Sequence, residues 1–198
     1  EPLPQITLRL DHNIFRERTP FASSWRPSEQ TEGMVVTRLV VNGEAVNLSA
    51  PGGGGGRRGG GVGGGATPGP ASAFGMETTV ATIRLATPVA AKANATLEID
   101  WRTKLPGGNT GSGHRMTQRF EDHLFQPTQW YPRIAKYDDL RGWDTNLYLG
   151  PSEFYNNFGR FDVSLTMPAG WIVSGTGVLQ NPQEVLTAKA RERLAHVL

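Results

Sequence analysis

Apolar residues recur at every second position in several short runs of this chain, and the runs are parted by Gly, Pro, Asn and Asp. Period-two spacing sends alternate side chains to opposite faces of an extended strand, so each run has one face to bury. Residues 5–10 show it, with Ile6, Leu8 and Leu10 inward against Thr7 and Arg9 outward. Residues 34–41 form a β-branched run closed by Asn42-Gly43, a pair that suits a tight hairpin turn, and residues 44–48 read as the returning strand. Residues 77–85 and 95–101 are further strands joined through a linker from Pro88 to Asn94, and residues 161–167 and 171–179 complete the set around the turn Pro168-Ala169-Gly170. Asn181-Pro182-Gln183-Glu184 then reads as a helix start, with an Asn cap and Pro at the first helical position, for one helix over residues 181–198. The expected fold class is all-β and mainly antiparallel. It is a saddle-like or sandwich β domain with a long Gly-rich loop and one C-terminal helix, spanning residues 1–198 as a single domain.

Residues 51–73 break the pattern. Eleven of the 25 glycines fall between Gly52 and Gly65, and almost no apolar side chain stands among them. Ordering a residue costs about 1–2 kcal/mol of backbone entropy, whereas lengthening a loop adds only about 0.6 kcal/mol per doubling. A disordered Gly-rich loop insertion over residues 51–73 is therefore expected. Arg57 and Arg58 within it loosely resemble an arginine-glycine RNA-binding tract. Such tracts draw affinity from many phosphate and stacking contacts, which two arginines do not supply. With a net charge of +2 and scattered charges, no nucleic-acid partner is expected.

No run nears the roughly 18 apolar residues of a membrane-spanning helix, so no membrane span is expected. The chain has no cysteine, which removes disulfides, thiol catalysis and Cys-ligated zinc. That composition fits a periplasmic or secreted protein, the expected location, and leaves the cytoplasm open. No signal-like segment stands ahead of Glu1, so any targeting segment is expected to lie outside this sequence.

His12, His114, His123 and His196 are the non-carboxylate ligand candidates, and none has H-E-x-x-H spacing. Each is read as a surface or hydrogen-bonded histidine, and neither a metal site nor a cofactor is expected in this chain. There is no G-x-S-x-G elbow, Walker loop or dinucleotide fingerprint. Glu121-Asp122 and Asp138-Asp139 are adjacent carboxylates, which on a strand point to opposite faces and make no acid/base dyad. No catalytic residue is expected. The aromatics crowded between Phe120 and Phe161 are read first as core. Trp130, Trp143 and Trp171 are ring candidates for the alternative reading, a free-standing β-sandwich module that binds sugars or peptides.

Three stretches carry a family resemblance. The first is Gln129-Trp130-Tyr131-Pro132-Arg133-Ile134-Ala135-Lys136-Tyr137-Asp138-Asp139 with Gly142-Trp143, and the second is Tyr148-Leu149-Gly150-Pro151-Ser152-Glu153-Phe154-Tyr155. The third is Phe161-Asp162-Val163 through Pro168-Ala169-Gly170-Trp171 to Gly175-Thr176-Gly177-Val178-Leu179-Gln180-Asn181-Pro182. Together they resemble the N-terminal domain of bacterial zinc aminopeptidases of the gluzincin class, the membrane-alanyl-aminopeptidase-like family.

The resemblance implies a non-catalytic β domain that forms one wall of a peptide-substrate cleft beside its own catalytic domain. In the family that second domain holds zinc through H-E-x-x-H and a later Glu, motifs this sequence lacks, so this chain alone is expected to be inactive. The family's N-terminal domain also offers a Gln or Glu to the substrate's free amine, and by position Gln126 matches best, with Glu121 next. An amide or carboxylate oxygen is a suitable acceptor for an ammonium group. The resemblance further implies truncation at both ends: two or three strands ahead of residue 7, and a catalytic domain after Leu198. A sheet edge left unpaired in this way is expected to favour self-association.

Overall fold

A computed structural model describes residues 1–27, 29–49, 69–107 and 117–197. His114 and residues 51–68 of the Gly-rich stretch lie outside the described residues. In chain order the strands are β1 (Leu3–Arg9), β2 (Met34–Val41), β3 (Glu44–Ala45), β4 (Ser72–Phe74), β5 (Val80–Val89), β6 (Leu97–Thr103), β7 (Gln118–Phe120), β8 (Leu124–Gln126), β9 (Arg133–Ile134), β10 (Tyr137–Asp138) and β11 (Gly142–Trp143). A 3-10 helix, Asp11–Phe15, follows β1, and two helices near the end are α1 (Pro182–Val185) and α2 (Ala188–Val197). The chain falls into two compact units, Glu1–Phe158 and Gly159–Leu198.

In the first unit every strand pair within a sheet is antiparallel. One sheet has the order β4-β5-β1-β9 and another β3-β2-β6, while β7-β8 and β10-β11 are two-stranded. The fold is thus mainly antiparallel β, as the alternation predicts. Ala73, Ile83 and Ile6 sit in register across the first sheet, and Leu39 faces Ile99 in the second. Their inward side chains join one cluster with Leu8, Met34, Val41 and Leu85, so the two sheets bury a common core. The Asn42-Gly43 hairpin forms as expected. Both residues take positive φ, 51° and 83°, the conformation that fits the strand twist and that Gly adopts without cost.

Four local features depart from the sequence expectations. A bulge between Val36 and Arg38 in β2 shifts the phase of its inward face, from Met34 and Val36 to Leu39 and Val41. The outward face of β1 is not exposed: Thr7 and Arg9 are buried, because the segment around Ala135 covers them and its N–H donates to the Thr7 carbonyl at 2.9 Å. Residues 71–73, placed in the expected loop, are ordered. Ala71 and Ala73 are buried, and β4 begins at Ser72, because small side chains pack flat beside β5. The strand from residue 77 begins instead at Val80 and runs on to Val89.

The second unit also differs from expectation. Residues 161–167 and 171–179 form no strands; they alternate as strands do, but no described strand pairs with them. The C-terminal helix is interrupted. Leu186 is extended (φ −106°, ψ 142°), and the Thr187 hydroxyl accepts the Ala190 N–H at 3.2 Å to start α2. At the start of α1, Asn181 gives its side-chain amide to Glu184 at 2.9 Å rather than capping the backbone.

Candidate functional site

The covered face of β1 carries a buried polar layer. Asp11 takes the Arg9 guanidinium at 3.2 Å on one oxygen and Arg133 on the other. Arg9 also reaches the Asp144 carboxylate at 3.3 Å, and Arg133 reaches the Asn156 amide oxygen. Charges this deep are tolerated because each meets an opposite charge and further hydrogen bonds. Asn13 is buried and fully used: its amide donates to the carbonyls of Met76 (2.9 Å) and Thr78 (2.8 Å), and its oxygen accepts the Met34 N–H (2.8 Å). These residues fasten the 3-10 helix to both sheets. Nothing in a single sequence marks Asp11 or Asn13 as buried, since burial of a polar residue depends on distant segments.

Beside Arg9 this layer opens into a cleft of about 850 Å³. Asp138 and Arg141 line it on the side of the β10-β11 hairpin, Trp143 and Asp144 follow, and Leu147, Leu149 and Tyr155 add apolar surface. The Asp138 carboxylate accepts the N–H groups of Leu140 (2.9 Å) and Arg141 (2.7 Å), which fixes the hairpin turn. Asp144 is held by Arg9 and by the Asn146 side-chain amide at 2.9 Å. Tyr137 stands edge-on to Trp143 with ring centroids 5.1 Å apart, and Lys136 lies 5.7 Å over the Tyr155 ring.

Gln126 and Glu121 lie elsewhere, on the β7-β8 hairpin, and neither lines the cleft. Gln126 is exposed, and its backbone carbonyl accepts the Thr117 hydroxyl at 3.2 Å. Glu121 occupies the hairpin turn with φ 47°, and its carboxylate is 3.3 Å from His123 Nε2. Asp122 pairs with Arg119 at 3.2 Å. His12 is buried with both ring nitrogens engaged, and His196 lies in α2. Among the described residues no three His, Cys, Asp or Glu side chains gather as a metal group. The aromatic run is mixed: Tyr148 is core, Trp130 and Trp143 are half-buried, and Tyr155, Phe158 and Phe161 are exposed.

The fold and cleft define a mainly antiparallel β protein with a charged, aromatic-lined recess. Compared with protein-family models, curated proteins and solved structures, the chain gives no match. No helix among the described residues is long and apolar enough to cross a membrane.

Proposed function

We propose that this chain is the non-catalytic N-terminal β domain of a zinc-dependent aminopeptidase, where it forms one wall of the peptide-substrate cleft. The zinc and the water it activates belong to a neighbouring catalytic domain. The observation that carries this reading is the exposed face of residues 161–179. Val163, Leu165 and Met167 alternate as in a half-buried strand yet remain 61%, 53% and 52% exposed, and Ile172 is 94% exposed. An apolar face of that kind is suited to packing against a second domain. It falls within the stretch that carries the most specific part of the resemblance. Gln126, and Glu121 after it, are the groups proposed to accept the substrate ammonium, and both are open to a ligand.

The test is the gene and the protein together. The reading frame is expected to continue past Leu198 into H-E-x-x-H with a later Glu, and a frame that closes without them overturns the reading. The present chain is expected to hold no stoichiometric zinc and to leave alanyl anilides intact. Zinc at one equivalent together with hydrolysis overturns its assignment as non-catalytic.

A further inference from the structure

We propose that the cleft beside Arg9 is a binding site for an apolar carboxylate, and that Arg141 holds the carboxylate. The inference needs neither zinc nor a second domain, so it stands or falls apart from the aminopeptidase reading.

The charges around the cleft single out Arg141. Arg9 and Arg133, the guanidinium groups of the buried layer, are consumed by Asp11, Asp144 and Asn156. Three carboxylates line the wall and none is free: Asp144 is met by Arg9 and Asn146, Asp138 by two backbone N–H groups, and Glu153 is engaged as well. Arg141 lines the cleft, is exposed, and forms no ion pair with a described residue. Its place is set by the Asp138 turn, so a ligand meets a guanidinium carried on a braced hairpin. A guanidinium offers paired N–H donors that match the two oxygens of a carboxylate.

The rest of the cleft supplies the apolar half of the ligand site. Trp143, Leu147, Leu149 and Tyr155 line it, and Leu149 and Tyr155 are 37% and 53% exposed. The Lys136 ammonium over Tyr155 adds positive potential at that wall. The Trp143 ring lines the cleft, and its buried indole N–H has no acceptor among the described residues, so its resonance serves to follow changes in the wall. A volume of about 850 Å³ accommodates a ligand of one to three residues. A branched or aromatic side chain would lie against the rings, with its carboxylate on Arg141. A peptide C-terminus and a free apolar acid share this chemistry.

The experiment titrates the full chain with N-acetyl-leucine, N-acetyl-leucinamide and N-acetyl-Ala-Ala-Leu. Binding is followed through the ¹⁵N indole resonance of Trp143, assigned with Trp143→Phe. N-acetyl-leucine is expected to move that resonance and the amide is not. Arg141→Met should weaken binding by about tenfold or more, with Arg141→Lys in between. Arg141 is exposed and forms no ion pair with a described residue, so both variants should fold with the wild-type midpoint. Tighter binding of the tripeptide assigns the site to peptide C-termini, and equal binding assigns it to small acids. Equal binding of acid and amide, an unchanged affinity in Arg141→Met, or no shift up to about 10 mM ligand overturns the proposal.

Discussion

His12 Nδ1 lies 2.9 Å from the Thr103 hydroxyl, while its Nε2 lies 2.7 Å from the Thr128 carbonyl. One neutral tautomer satisfies both, with Nε2–H donating to the carbonyl and Nδ1 accepting from the hydroxyl. The ring thereby ties the 3-10 helix after β1 to the end of β6 and to the segment after β8.

Burial holds the His12 pKa below its ordinary 6.5, with Arg133 acting in the same direction and the Thr128 carbonyl and Asp11 opposing. As pH falls through about 6.5, the unfolded chain binds a proton that the folded ring does not yet take. Stability from this group is therefore complete above that pH and is lost as pH falls towards the folded pKa. For a single group the slope is at most about 1.4 kcal/mol per pH unit, with stability falling as pH falls. Urea unfolding at a series of pH values between 7.5 and 5 checks it (about half a unit per step suffices). His12→Gln should flatten the slope, and an unchanged slope in that variant would assign the titration to another group.

Asp11 stands between two buried guanidinium groups, so removing its charge leaves both undercompensated. Asp11→Asn should cost about 3–5 kcal/mol in equilibrium unfolding. The exposed pair Arg160–Asp162, at 3.4 Å, provides the contrast. There Asp162→Asn should leave the midpoint where it is, because water already solvates both partners.

What the sequence made legible was local. The Asn42-Gly43 turn needs only its own two residues to select a hairpin, and it formed with both φ values positive. The phase change at the β2 bulge depends on how β6 pairs with β2 some sixty residues later, so alternation alone did not disclose it. Burial of Thr7 and Arg9 depends on a segment more than 120 residues away. The same limit governed residues 161–179. Alternation reports that a face is apolar, whereas a strand also requires a partner ladder, and none of the described strands supplies one. The cleft joins Arg9 of β1 to residues 138–155 and follows no short motif, so composition drew attention to its aromatics but not to Arg141.

Gly150 has φ +111°, and a Cβ built there would lie 2.9 Å from Cγ and Cδ2 of Trp25. The position combines a backbone conformation that side chains disfavour with direct contact against an indole face. Gly150→Ala should cost about 1–3 kcal/mol and displace the Trp25 ring. A lowered urea midpoint together with a shifted Trp25 indole resonance is the expected result. A midpoint equal to wild type would show that the ring yields freely.

Leu8 and Ile172 measure the difference between an apolar side chain that is covered and one that is not. Leu8 is 0% exposed within the common core of the two sheets, while Ile172 is 94% exposed. Truncating Leu8 removes its contacts and leaves a cavity, so Leu8→Ala should lower unfolding stability by about 2–5 kcal/mol. Ile172→Ala removes groups that already meet water, and the expected change is within about 0.5 kcal/mol. If Ile172→Ala instead destabilises the isolated chain as strongly as Leu8→Ala, residues 171–179 are packed within this chain. The exposed face would then offer nothing to a second domain. Equal stability of wild type and Ile172→Ala in the isolated chain, with weakened association once the proposed second domain is present, is the pattern expected of a face that only such a domain covers.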